Sequence, residues 1–268
     1  MNADCDFQIG KDHLVCQDYA LAWATETEAV GILCDGCSAS PDVDIGARLL
    51  ALAARETYKI YDLKLLGYQT GYQIFGGETI ETARKVFNLY PSLSPQAMDA
   101  TLLLVRVKDN EVIAFIYGDG VFFHKSATGL YAMRVELTSG APDYLSYFLD
   151  PVRKQQYDKY SVADDEYKEI TVYDGETRTV EKQAPFSSVV IQRNVQPGDI
   201  VVVCSDGIGS FRRADNSSIL WMDLAEEFID FKNPTGVFAK RRLAAFKKKC
   251  IKEGWTHRDD ISVSAIIV

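Results

Sequence analysis

The sequence has little histidine, no excess of positive charge and no long apolar run. Three histidines and six scattered cysteines stand in 268 residues. Only one C-x-x-C occurs, Cys34 to Cys37, so a structural zinc site has no second half. Lys and Arg total 29 against 38 Asp and Glu, a formal net charge of -9. An acidic surface repels phosphate backbones, which argues against nucleic acid as a partner. The densest basic stretch, AKRRLAAFKKKC at 239–250, has apolar residues at helical spacing and reads as the solvated face of a helix. No apolar run nears the roughly 20 residues of a membrane span. The opening MNADCDFQIGKDH lacks the basic start and apolar centre of a secretory signal. Several cysteines lie in apolar runs, as reduced thiols do in cytosolic proteins, so the expectation is a cytoplasmic protein with no membrane partner.

Ordinary globular patterning is present. YALAWATE (19–26) and EAVGILCDG (28–36) read as strands, the second apolar throughout and therefore buried on both faces. Residues 42–64 and 78–90 carry apolar positions at helical spacing. Strands are expected at 99–108, 111–120, 121–126 and 131–138, with KDN as a tight turn between the first two. Residues 139–184 turn polar, with short helical patches and a hairpin turning at Asp174-Gly175. They lack a Pro/Gly/Ser-rich run and read as a surface excursion from one domain spanning 1–268. Strands follow at 188–195 and 200–207, then helical segments at 218–231 and 235–253, then a last strand, DISVSAIIV. Grouped strands and paired helices, without strict alternation, indicate an α+β fold with largely antiparallel sheets and helices outside.

Carboxylates mark the strand ends. ILCDG ends at Asp35, IYGDG at Asp119 and VVVCSDG at Asp206; Asp259 and Asp260 precede the last strand and Asp18 the first. An Asp-Gly pair often marks only a turn, as at Asp174-Gly175. Burying several bare carboxylates is costly without a counter-charge, and few basic residues are near in sequence. Hard oxygen ligands with little histidine suit Mg²⁺ or Mn²⁺ better than Zn²⁺.

Six stretches, GKDHLVCQD (10–18), CDGCSASPDVDIGARLL (34–50), DATLLLVRV (99–107), IYGDGVFFH (116–124), VVVCSDGIGSF (201–211) and DDISVSAIIV (259–268), occur in the order seen in metal-dependent Ser/Thr protein phosphatases. The chain resembles the protein phosphatase 2C family, especially its compact bacterial-type members, over nearly its whole length. The resemblance implies a β-sandwich of two antiparallel sheets flanked by pairs of α-helices, four layers in all. It implies phosphoserine and phosphothreonine hydrolysis by a hydroxide bridging two Mn²⁺ or Mg²⁺ ions. Asp35, through its carboxylate, and Gly36, through its carbonyl, match the bridging pair. Asp206 and Asp259 match further metal ligands, Asp18 the acidic residue holding metal-bound water, and Asp119 a ligand of a third, weaker ion. The segment at about 139–184 matches the variable flap where protein substrates are chosen. The partner implied is a phosphoprotein; regulation is expected through a separate chain such as a kinase or regulatory protein.

Three positions depart from the family pattern. His13 stands where many members place a phosphate-binding Arg, with less assured charge at neutral pH. Gln17 stands for a Glu beside Asp18, and Cys37 for a His after the Asp-Gly pair. These departures sustain a second reading, a catalytically weakened or inactive phosphatase fold that binds a phosphorylated partner. A thiol redox protein built on Cys34 and Cys37 is a third, weakened because the motif joins a strand to a loop and opens no helix. His124 reads as a structural histidine, whereas His257, beside Arg258-Asp259, is a candidate neighbour of the metals.

Overall fold

The computed structural model describes residues 1–61, 67–138 and 140–268. Strands β1 (Asn2–Gln8), β2 (Tyr19–Ala24) and β3 (Glu28–Cys34) precede helices α1 (Val43–Ile60) and α2 (Tyr68–Phe87). Strands β4 (Leu102–Lys108), β5 (Glu111–Tyr117), β6 (Gly120–Ser126) and β7 (Gly129–Leu137) lead to α3 (Pro151–Ala163). Then come β8 (Lys168–Asp174), β9 (Thr177–Gln183), β10 (Val189–Asn194), β11 (Ile200–Cys204) and the short β12 (Phe211–Arg212). Helices α4 (Ala225–Ile229) and α5 (Phe238–Glu253), the short β13 (Thr256–His257) and β14 (Ile261–Ile267) complete the order.

Two antiparallel sheets form the centre, one ordered β10-β5-β4-β3-β2 and the other β1-β14-β11-β6-β7-β8-β9. The period of two along β3 explains its unbroken apolar run. Val30, Ile32 and Cys34 pack with Leu50, Ala54 and Phe75 of α1 and α2. Ala29 and Leu33 face the other sheet, where Phe122, Val201, Val203 and Ile266 meet Leu103, Val105 and Ala114. On the far side, Val202, Cys204 and Val263 bury against Phe228, Leu243 and Phe246 of α4 and α5. This is the four-layer sandwich that the resemblance implies. In α5 the basic residues 240, 241 and 247–249 face solvent while Leu243, Phe246 and Cys250 face the sheet, as their spacing requires.

The structure corrects several sequence expectations. Strand β1 was not anticipated, because Asp4 and Asp6 are poor strand formers. Its alternation is sound all the same: Ala3, Cys5 and Phe7 pack on the inter-sheet core while the acids point away. Helix α2 begins ten residues before the expected 78, in a stretch whose Gly71, Gly76 and Gly77 weaken the helical signal. The segment expected at 218–231 is regular only as a 3₁₀ turn at Trp221–Leu224 and the single-turn α4. The expected helix at 42–64 runs to Ile60, and its residues 62–64 lie outside the described residues. The KDN turn holds, with Asp109 and Asn110 both at positive φ (53° and 58°), the geometry of a primed two-residue hairpin.

Residues 140–184 hold α3 and the β8-β9 hairpin, which lengthens the larger sheet beyond β7. Lys168 of β8 is fully buried, its Nζ 2.9 Å from Asp143 Oδ2 and donating to the Ser187 carbonyl. Lys168→Met would leave Asp143 buried without its counter-charge, at a cost of about 3–5 kcal/mol. A melting temperature lower by roughly 6–20 °C is expected in a thermal scan; a fall under about 2 °C would contradict this.

Candidate active site

At the end of the sandwich, loops from both sheets surround a cavity of about 250 Å³. Asp35 and Gly36 enter it from the end of β3, Asp119 from the β5–β6 turn, Asp206 from the end of β11 and Asp259 from the approach to β14. Four of the predicted carboxylates therefore share one lining. Cys37, Thr101 and Tyr144 complete much of the wall, and no Lys or Arg among the described residues lines it.

Backbone bonds fix these loops. The Asp35 amide donates to Thr101 Oγ1 (3.2 Å) and the Thr101 amide returns to the Asp35 carbonyl (2.8 Å). The Cys37 amide donates to the Asp99 carbonyl at 2.8 Å. A Cβ on Gly207 would stand 1.8 Å from the Asp260 carbonyl oxygen, so only glycine after Asp206 lets the two loops touch.

Asp18 and His13 are not among the lining residues. Asp18 is buried beneath them, and neither of its oxygens has a hydrogen-bond partner of good geometry, although Ser205, Ser262 and Asp35 lie around it. His13 turns to the Asp259-Asp260 pair, with Nε2 3.4 Å from Asp259 Oδ1 and Nδ1 2.9 Å from Asp260 Oδ2. Burial lowers its pKa, but Asp260, Asp259 and Asp18 together raise it above the ordinary histidine value.

Asp260 is a residue the sequence reading left without a role. It is 1% exposed and accepts the amides of Gly10 (2.7 Å) and Gln17 (2.5 Å), tying the β1–β2 loop to the last strand. Its neighbour Asp259 keeps a half-exposed carboxylate at the cavity. The doublet divides because adjacent residues before a strand point to opposite sides. Asp99 was also missed. Its buried carboxylate takes Arg153 Nη2 on both oxygens (2.9 and 2.7 Å), Ser146 Oγ at 2.6 Å and Ser40 Oγ at 3.0 Å. The remaining candidates are structural. His124 Nε2 pairs with Asp199 at 2.9 Å in a buried site. His257 stacks on Phe211 and bonds the Ile9 carbonyl, away from the cavity lining. All six cysteines are free, and burial, then Asp18, pushes the Cys34 thiol well up, so it offers no thiolate for exchange.

Residues 10–139 match the family model described as Protein phosphatase 2C, a stretch that takes in Asp18, Asp35, Gly36 and Asp119. Over that stretch, just under half of its length, the chain is similar to the protein phosphatase 2C family. Solved structures extend the fold likeness past the matched stretch. The serine/threonine phosphatase of S. agalactiae aligns over 99% of this chain and 98% of its own, at 16% identity and a TM-score of 0.56. PppA of Pseudomonas aeruginosa aligns over 99% and 97%, at 18% identity and a TM-score of 0.54. At such identities the likeness establishes the fold. No curated protein sequence matches this one.

Protein phosphatase 2C chains depend on Mg²⁺ or Mn²⁺. Among the described residues no three His, Cys, Asp or Glu side chains already converge on one point as a closed metal group. The donor set nonetheless fits: four carboxylates share the lining and Asp18 leaves two buried oxygens unsatisfied. Mg²⁺ and Mn²⁺ sites keep several waters, so one or two protein carboxylates per ion suffice.

The carboxylates are strained electrostatically. Burial, then repulsion by Asp18 and Asp206, holds Asp35 well above the carboxylate range, and burial, then Asp206, does the same to Asp119. Asp18 is pushed up to about 7 by burial, and Asp259 to about 6 by burial and Asp206. A raised folded-state pKa gives stability that is complete below the unfolded value near 3.8 and lost as pH rises through about 6 to 7. In EDTA, melting is therefore expected several degrees higher near pH 5.5 than near pH 8, at roughly 2–4 °C per kcal/mol. Saturating Mn²⁺ should remove most of that gap. A metal-free protein that melts no lower near pH 8 would contradict the assignment.

Proposed function

We propose that the chain is a divalent-metal-dependent phosphatase that hydrolyses phosphoserine and phosphothreonine in phosphoproteins. The observation that carries this is the gathering of Asp35, Asp119, Asp206 and Asp259 on one cavity above the unsatisfied Asp18. Asp35, the Gly36 carbonyl, Asp206 and Asp259 would hold two ions, and Asp119 a third, weaker one. Bound divalent ions lower the pKa of water and neutralise phosphoryl charge, which is the main catalytic contribution in such sites. Asp18 orients from below, its charge adding to the pull on cations. Asp260 and Asp259 favour the protonated form of His13, whose Nε2 lies 3.4 Å from Asp259 Oδ1, so the N-terminal loop would present a cation beside the site.

Gly140, Pro142 and Tyr144 bring the start of the excursion onto the cavity wall, which supports a substrate-selecting flap at 139–184. Its hairpin cannot be cut cleanly, because Ile170 and Lys168 of β8 are core residues. Surface changes in α3 are the better probe of selectivity.

One observation favours the second reading, binding without hydrolysis: among the described residues no Lys or Arg lines the cavity to receive phosphate. Phosphate release from a phosphothreonine peptide separates the two. Release that needs Mn²⁺ or Mg²⁺ and stops in EDTA supports the enzyme; saturable peptide binding with no release supports the binder. The partners that go with this reading are a phosphoprotein and, separately encoded, the kinase or regulator acting on it.

A further inference from the structure

A second cavity, about 350 Å³, lies between α2 and the excursion, lined by Tyr72, Gly76, Gly77, Asp143, Phe148 and Phe186 among others. It shares no lining residue with the carboxylate cavity. Three features of this cavity are costly to the protein alone.

Asp143 is 3% exposed. Its Oδ2 is taken by Lys168 Nζ and the Phe186 amide, while Oδ1 has no hydrogen-bond partner. A buried acceptor left unpaired is unfavourable unless something else fills it. Phe186 sits at φ 61°, a left-handed conformation that bulky residues avoid, with its ring edge-on to Phe148 at 5.1 Å. Gly76 and Gly77 weaken the middle of α2. Gly76 has an internal reason, since a Cβ there would stand 2.6 Å from the Tyr117 ring. Gly77 has none: a Cβ there would meet nothing within 4 Å, and the residue lines the cavity.

The lining also limits the ligand. Lys168 already neutralises Asp143, so Oδ1 calls for a hydrogen-bond donor without a charge. The hydroxyls of Tyr72 and Tyr117 are spent on the Ile116 and Tyr72 carbonyls, so these residues offer stacked ring surface rather than polar groups. The volume is at the small end of ligand cavities, which span roughly 300–1,000 Å³. We propose that this cavity binds a small neutral aromatic molecule carrying one N–H or O–H donor, its ring among Tyr72, Phe148 and Phe186 and its donor on Asp143 Oδ1.

Indole and benzofuran test this, being alike in shape and different in the donor. Titration of the full chain, followed by amide resonances, should show saturable indole binding at least about tenfold tighter than benzofuran. The shifts should centre on Gly77 and Phe186 and spare Gly36 in the other cavity. Gly77→Leu, whose side chain would grow into open space, should weaken indole binding at least tenfold while the melting temperature is kept. Equal affinity for the two probes, shifts centred on Gly36, or indole binding unchanged in Gly77→Leu would overturn the proposal. The readout is binding, so it stands or falls separately from phosphate hydrolysis.

Discussion

Asp35→Asn is expected to lower kcat for p-nitrophenyl phosphate in Mn²⁺ by at least about 10²–10³-fold, the scale of losing one preorganised electrostatic group at a reacting centre. Asp206→Asn should behave alike, since both carboxylates line the cavity and Asp35 titrates under the influence of Asp206. The same substitutions should leave the metal-free protein as stable as wild type or more so. Asp35 is buried against Asp18, Asp206 and Asp259, and removing one charge relieves that repulsion. Lost turnover with kept or raised melting temperature in EDTA separates a functional carboxylate from a structural one. Full activity in Asp35→Asn would remove Asp35 from the site.

The second large effect is structural. Asp99→Ala would strip partners from Arg153, Ser146 and Ser40 at once, joining as it does the loop after Cys37 to α3. Asp99 is 3% exposed, so the loss should reach about 3–5 kcal/mol. Faster amide exchange should be confined first to α3 and to residues 38–40. Uniform exchange throughout the chain, with no early loss in α3, would show that Asp99 is not the tie between them. Arg153→Ala should reproduce the α3 effect in part, as Ser40 keeps its bond.

The layered fold was legible because its strands are apolar on both faces and its helices have one apolar side. The run EAVGILC can be buried only between a helix layer and a second sheet, and that is where β3 lies. Strand β1 was hidden by Asp4 and Asp6, whose outward positions matter less than the inward Ala3, Cys5 and Phe7. The first half of α2 was hidden by glycines, one of which exists to admit the Tyr117 ring. At the site, the carboxylates at strand ends were readable because burying bare charge has few explanations. What the sequence could not show was depth. Asp18 lies beneath the cavity and His13 beside Asp259 rather than on the lining, a distinction made by loop geometry alone. Asp99 was indistinguishable from any acid before a strand, because its partners are 40 to 60 residues away in sequence.

The account rests on the cavity's carboxylates needing cations. Calorimetric titration of the EDTA-treated chain with Mn²⁺ near pH 7 addresses that directly. Binding of about two ions is expected. Asp18, pushed up to about 7, and Asp35, raised well above the carboxylate range by burial and its acidic neighbours, must give up protons as cations enter, so the heat should vary with the ionisation enthalpy of the buffer. Asp35→Asn should lose most of the binding. No Mn²⁺ uptake by the folded wild-type chain at millimolar metal would contradict the account.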